Sequence, residues 1–174
     1  MSTIESRGLF AKCARRANRW KRLLGAVVAA CAIGGIAVGI VRATPGHGIT
    51  TTIIAGPSLL DDVQVVNQTP DHGVMIKTRG QSDVYVVFNR IAPGGDTGWH
   101  SHPGPSVVSV VSGQASELRS DSPDVTVHSA GTAFMDEGGD HAHNIVNKGD
   151  TDLVLVAFQI LPQGAPRRID EPAP

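Results

Sequence analysis

Beyond Arg42 the chain is a succession of short β-favouring runs cut by turn residues, with no stretch that repeats apolar residues at helical spacing. The runs lie near Val63–Val66, Val74–Thr78, Val84–Ile91, Val107–Val111, Ala115–Arg119, Val125–His128, Thr132–Met135, His141–Val146 and Leu153–Leu161. They carry β-branched and aromatic side chains that pack well on a pleated surface. Between them stand "PDHG", "RGQSD", "APGGD", "HPGP", "SGQ", "SDSPD", "SAG", "EGGD" and "NKGDTD", in which Gly, Pro, Asn and Asp provide the backbone angles of turns. So many short strands in roughly 110 residues predict an all-β chain that curls into a sandwich, barrel or jelly roll, because closure hides strand edges. The barrel is expected over residues 71–162. Residues 44–70, with "ATPGHGITTTIIAGPSL", read as a linker and leading edge strand. Residues 163–174, Pro-rich and polar, read as a tail lying over the surface or loose.

The front of the chain follows different rules. Residues 1–22 hold a basic cluster, Arg15, Arg16, Arg19, Lys21 and Arg22, followed by the uncharged run "LLGAVVAACAIGGIAVGIV" from Leu23 to Val41. As a helix this run would span about 28 Å, close to the roughly 30 Å hydrocarbon core of a bilayer. It is apolar all round, which argues against a helix packed on a globular core. The positive-inside rule then keeps the N-terminus in the cytoplasm and sends the remainder outside. Residues 23–43 are thus expected to be a transmembrane anchor or a signal sequence, the latter cleaved after "VRA" near Ala43, which would make the protein secreted. The run exceeds the usual signal-peptide core, which favours the anchor. "VAAC" at Val28–Cys31 resembles a lipobox, but the chain stays apolar up to Val41. Arg15-Arg16 resembles a twin-arginine signal only weakly.

Charge divides at the same boundary. Residues 1–42 hold eight of the fifteen Lys/Arg and one of the sixteen Asp/Glu, leaving seven and fifteen in the remainder, a net of −8. Such an acidic exterior portion argues against nucleic acid and against anionic lipid as its partners. Both cysteines, Cys13 and Cys31, precede it, so it has no disulfide and no thiolate ligand to offer a metal.

The histidines carry the chemistry. "GWHSHPGP" places His100 and His102 one residue apart, so in a strand both imidazoles face the same side. "GDHAHN" repeats the spacing with His141 and His143. One His-x-His is weak evidence; two in one small barrel point to a divalent metal such as Fe, Mn, Zn or Ni. Asp136, Glu137 and Asp140 sit close by, though acidic residues in a Gly-rich loop are more often solvated. Trp99 is expected to pack on the opposite face, His47, His72 and His128 to lie on the surface, and Arg167-Arg168 to be solvated with the tail. No phosphate loop or serine-nucleophile pattern is present.

"GGDTGWHSHPGPSVVSVVSG" and "GTAFMDEGGDHAHNIVN" resemble the two signature motifs of the cupins, over roughly residues 71–162. Gly94, His100, His102 and Gly113 fit the first motif in register, with Ser106 at its Glu position. Gly131, Gly139, His143 and Asn147 fit the second, with Glu137 at its Pro position and one extra residue before His143; counting from Gly138 would select His141 instead. The resemblance implies a double-stranded β-helix jelly roll with a metal in its mouth, held by His100, His102 and His143, with His141 as an alternative or fourth ligand. Because a serine hydroxyl is a poor ligand, the site would keep open positions, or be weakened or lost. The family hosts dioxygenases, isomerases, decarboxylases and plain binders. The expected function is therefore a metal-dependent cupin acting on or binding a small organic molecule, with dioxygenase-type chemistry as one form. The alternatives are a non-catalytic metal or small-molecule binding module and a metal-free jelly roll. Family habit also implies a homodimer.

Overall fold

In a computed structural model the structure describes residues 44–174; the expected anchor or signal segment at 23–43 and the basic segment before it lie outside those residues, apart from the described Thr44 onward. Among the described residues there is no helix, and none is long and apolar enough to cross a membrane.

Ten strands form one strongly curved sheet whose two halves face each other as a nearly closed barrel. The first half contains β1 (His47–Leu60), β4 (Ser82–Asp96), β11 (Leu153–Pro162), β6 (Ser106–Ser112) and β9 (Ala133–Asp136), in that order of pairing. The second contains β12 (Ile169–Asp170), β5 (His100–Ser101), β10 (His143–Asn147), β7 (Gln114–Arg119) and β8 (Ser122–Ser129). The end of β4 crosses between the halves: Asp96 pairs with Val146 of β10, and Thr97 N–H donates to Ile145 O at 2.9 Å. β2 (Gln64–Gln68) and β3 (Gly73–Lys77) make a separate hairpin.

Alternation along the strands fills the interior. Val108 and Val110 of β6, Ile145 of β10, and Leu153, Leu155 and Ala157 of β11 turn inward against Val87 and Ile91 of β4 and Ala115 of β7. The intervening Val107, Val111 and Phe158 are exposed. Three of these strands change character at the same level. Following the inward positions, β6 runs Val110, Val108, Ser106; β11 runs Leu155, Ala157, Gln159; β10 runs Asn147, Ile145, His143. The barrel thus has an apolar floor and a polar mouth built by single substitutions in an alternating pattern.

Of residues 44–70, read as a linker and leading edge strand, His47–Leu60 form a 14-residue edge strand paired with β4 from His47↔Asp96 to Leu60↔Ser82, so the main sheet begins well before residue 71, while residues 73–77 stand outside it in the hairpin. Its side chains are almost all exposed, so the sequence has no in–out alternation to mark its length. The tail is not loose. Ile169 and Asp170 pair with Ser101 and His100, Glu171 N–H donates to Trp99 O at 2.9 Å, and the Ser101 hydroxyl donates to Glu171 Oε1 at 2.9 Å. A two-residue strand in a Pro-rich stretch has no periodicity to reveal it.

Candidate metal centre

His100, His102 and His143 meet at the polar mouth, each with 7 % or less of its surface exposed, and one nitrogen from each lies within 4.8 Å of the others. His100 on β5 and His143 on β10 are direct cross-strand partners. His102 follows β5, just ahead of the turn that Pro103-Gly104-Pro105 forms before β6. The rings sit edge to face, with His100 4.3 Å from His143 and 4.8 Å from His102 between centroids.

The backbone fixes two of the three tautomers. His100 Nδ1–H donates to Gly98 O at 2.8 Å, and His102 Nδ1–H donates to Arg167 O at 2.7 Å. In the neutral ring that leaves Nε2 unprotonated on both, with its lone pair available to a cation. Burial keeps the rings neutral. It pushes His100 down to about 2, aided by the neighbouring His143, Arg168 and His102, and it lowers His102 and His143 as well, with Asp136 partly opposing the shift in both. Three buried imidazoles that cannot easily protonate are ready-made metal ligands, since metal and proton compete for the same lone pair.

Opposite them runs a second polar row. Gln159 on β11, Ser106 on β6 and Asp136 on β9 occupy adjacent register positions across three strands, and all are buried. The Gln159 amide donates to Ser106 Oγ at 3.2 Å and accepts from the Arg167 guanidinium at 3.4 Å. The space between the rows is a cavity of about 250 Å³ that Arg167 and Arg168 also line. Arg167 is half-buried and among the described residues has no carboxylate partner, whereas Arg168 is paired with Asp170. The two arginines are therefore part of the site and not of a solvated tail: the β5–β12 pairing carries them there.

His141 is not in the cluster. It is 51 % exposed at the side chain and its Nδ1 lies 3.1 Å from Asp121 Oδ2, beside the Arg119–Asp121 and Arg119–Glu137 ion pairs. The expectation that it shares a face with His143 fails because β10 starts at His143; residues 139–142 are turn and coil, where the two-residue alternation does not hold. His128 is likewise no free surface residue: its Nε2 bonds buried Glu117 at 2.8 Å and its ring stacks on Phe134 at 4.0 Å. Trp99 is half-buried, and His47 and His72 are exposed. Asn147, at the last position of the second motif, is a structural hub. Its amide donates to Ile91 O and Thr151 O, and its carbonyl accepts from Gly149 N–H at 3.0 Å.

Gln159 and Arg167 escaped notice in the sequence as site residues. The signal for Gln159 was present, since it is a lone polar residue at an inward position of an otherwise apolar strand.

Residues 87–159 match the cupin domain family model. No curated protein sequence matches the chain. Among solved structures, a protein with a double-stranded β-helix domain from Klebsiella pneumoniae is similar at 21% identity, over 65% of this chain and 86% of that one, with a TM-score of 0.45. A cupin domain from Bordetella pertussis is similar at 25% identity, over 57% and 93%, with a TM-score of 0.40. The polyketide cyclase RemF from Streptomyces resistomycificus is 15% identical over 75% of this chain and 77% of that one, with a TM-score of 0.51, a likeness of fold alone. The family match spans both histidine segments, and the barrel places His100, His102 and His143 together: residues 87–159 are a cupin domain.

Proposed function

We propose that this protein is a metal-dependent cupin whose three-histidine centre binds a divalent ion and, beside it, a small organic anion. The observation that carries the reading is the convergence of three buried, neutral imidazoles on one end of a cavity whose wall also holds Arg167. When bound, the ion supplies Lewis acidity or, if redox-active, electron transfer to the ligand. The chain's own residues do the rest. Gly98 O and Arg167 O orient His100 and His102 so that Nε2 of each is the free nitrogen. Arg167, with no carboxylate partner among the described residues, presents its guanidinium to a carboxylate or similar anion, for which its fork geometry is suited. The Ile49, Val108, Phe134 and Leu155 side chains line the remainder and exclude water from the apolar part of a ligand.

A binding module without turnover is the second reading. Both carboxylates that line the cavity are placed for other work: Asp136 sits among the histidines, 3.6 Å from His102 Nε2, and Asp170 is paired with Arg168. This favours binding, Lewis-acid or redox chemistry over proton abstraction. We further place the barrel outside the cytoplasm, carried by the basic cluster and the apolar run Leu23–Val41, or secreted if cleaved near Ala43.

Equilibrium binding of small mono- and dicarboxylates to the metal-loaded full-length chain, with oxygen uptake recorded in parallel, tests the reading. Binding that weakens about tenfold in Arg167→Gln while metal content holds is expected. Turnover with oxygen uptake would assign a dioxygenase, and binding alone the module. Absence of carboxylate binding at any metal loading would refute the anion pocket.

A further inference from the structure

Asp136 has a side chain only 5 % exposed, and its Oδ2 is the one buried side-chain N or O atom, among the described residues, with no hydrogen-bond partner. Its other oxygen is in use, since Oδ1 accepts from Gly138 N–H at 3.0 Å. Oδ2 lies 3.6 Å from His102 Nε2, and Oδ1 lies 3.7 Å from His143 Nδ1. Both separations are too long for hydrogen bonds. The first, between Oδ2 and His102 Nε2, falls in the range of roughly 3–4 Å that separates two donors on one ion with bonds of about 2.0–2.2 Å. A carboxylate oxygen taken out of water needs a donor or a positive charge to compensate, and the protein gives this one neither.

The strand register explains how it comes to be there. Ser106 stands where the first motif would carry its Glu, and Asp136 is its direct cross-strand neighbour. Side chains opposite each other in an antiparallel pair start about 5 Å apart, so a carboxylate from β9 enters the same corner of the mouth as one from β6. The charge is needed as well. Three neutral imidazoles leave a divalent ion uncompensated, in a cavity that already holds the guanidinium of Arg167.

We propose that Asp136, through Oδ2, is the fourth protein ligand of the metal, supplying from β9 the negative charge that Ser106 on β6 does not. The inference rests on the metal-centre reading above. The local backbone holds the carboxylate in place against His102. Gly138 has φ 72°, and a Cβ on it would stand 2.4 Å from Gly104 O. Gly139 N–H donates to His102 O at 2.7 Å. The turn after Asp136 is thus pinned to the His102–Gly104 segment, and imidazole and carboxylate are positioned as one unit. One side-chain oxygen holds the turn; the other is left for the ion.

The test is a competition titration of Co(II) and Zn(II) against a chromophoric chelator, on the full-length chain purified without chelator or metal-binding tag, with the visible Co(II) spectrum recorded. Asp136→Asn keeps an Oδ1 acceptor for Gly138 and replaces the free oxygen by an amide. It is expected to weaken both metals at least about tenfold and to shift the Co(II) bands. If the parent binds metal and Asp136→Asn binds it equally, or more weakly with an unchanged Co(II) spectrum, Asp136 is not a ligand and the three-histidine centre stands without it. A parent that binds no metal removes the centre and this inference together. Should the single variant fail to fold, Ser106→Glu/Asp136→Asn decides: parent-like affinity within about threefold is expected, and none overturns the proposal.

Discussion

Three carboxylates are buried among the described residues, Asp83, Glu117 and Asp136, and the protein treats the last two oppositely. Glu117 on β7 is 6 % exposed and is met by His128 Nε2 at 2.8 Å, a ring itself stacked on Phe134. Asp136 on β9 is 4 % exposed, faces two histidines, and touches neither within hydrogen-bond distance. The difference lies in what orients the imidazoles. His128, stacked on Phe134, turns its Nε2 to its carboxylate, while His102 is held by Arg167 O and His143 is set by the strand start. Glu117–His128 is a closed pair that holds two strands together. The Asp136 corner is an open one, with donors arranged around a space and not around each other. Buried polar groups left unpaired in an otherwise satisfied interior mark a place where something else is to be bound.

The largest contrast should come from the histidines. His102→Ala removes one of three donors from a fixed geometry and is expected to lower metal affinity more than about a hundredfold, by the same chelator competition, leaving β7–β8 intact. Acid should come next. A histidine whose folded-state pKa lies below its unfolded value takes up a proton only on unfolding, so stability is full above about pH 6.5 and falls as pH drops through it. With His100 held down to about 2, that residue alone should cost the metal-free protein about 2 kcal/mol between pH 7 and pH 5, read from urea unfolding. Bound metal should blunt the loss. Converting Glu117 into a second unpaired carboxylate with His128→Phe, which keeps the stacking ring, should destabilise by about 1–3 kcal/mol with unchanged metal affinity. Asp136→Asn in the metal-free protein should cost less than that or stabilise, because the amide keeps the Oδ1 acceptor for Gly138 N–H and replaces an oxygen that has no partner among the described residues. His141→Ala should be smallest, within about 0.5 kcal/mol and without effect on metal, since among the described residues its one side-chain tie is to Asp121 on the surface.

The sequence carried the central strands and the three metal-facing histidines well, because both rest on local signals. The β-branched and apolar runs of β6 and β11, bounded by turn residues, mark both as strands without reference to a partner, although both carry apolar residues on their two faces. The spacing to Asn147 favoured His143, the ring that the fold turns inward, but the glycine spacing left His141 open as an alternative or fourth ligand. What it did not carry is non-local. That Asp136 lies opposite Ser106 depends on a pairing across 30 positions, and that Arg167 caps His102 depends on one across 65. Neither has a local pattern. His141 shows the reverse error, a spacing rule applied where the backbone is not extended.

Elemental analysis by plasma mass spectrometry, on the full-length chain purified without chelator or metal-binding tag and dialysed against Mn, Fe, Ni and Zn in turn, tests the metal centre most directly. The account expects close to one divalent metal per chain, lost in His102→Ala and His143→Ala. A parent that holds no metal after every dialysis would contradict it, and would leave three buried histidines and an unpaired carboxylate as a purely structural cluster.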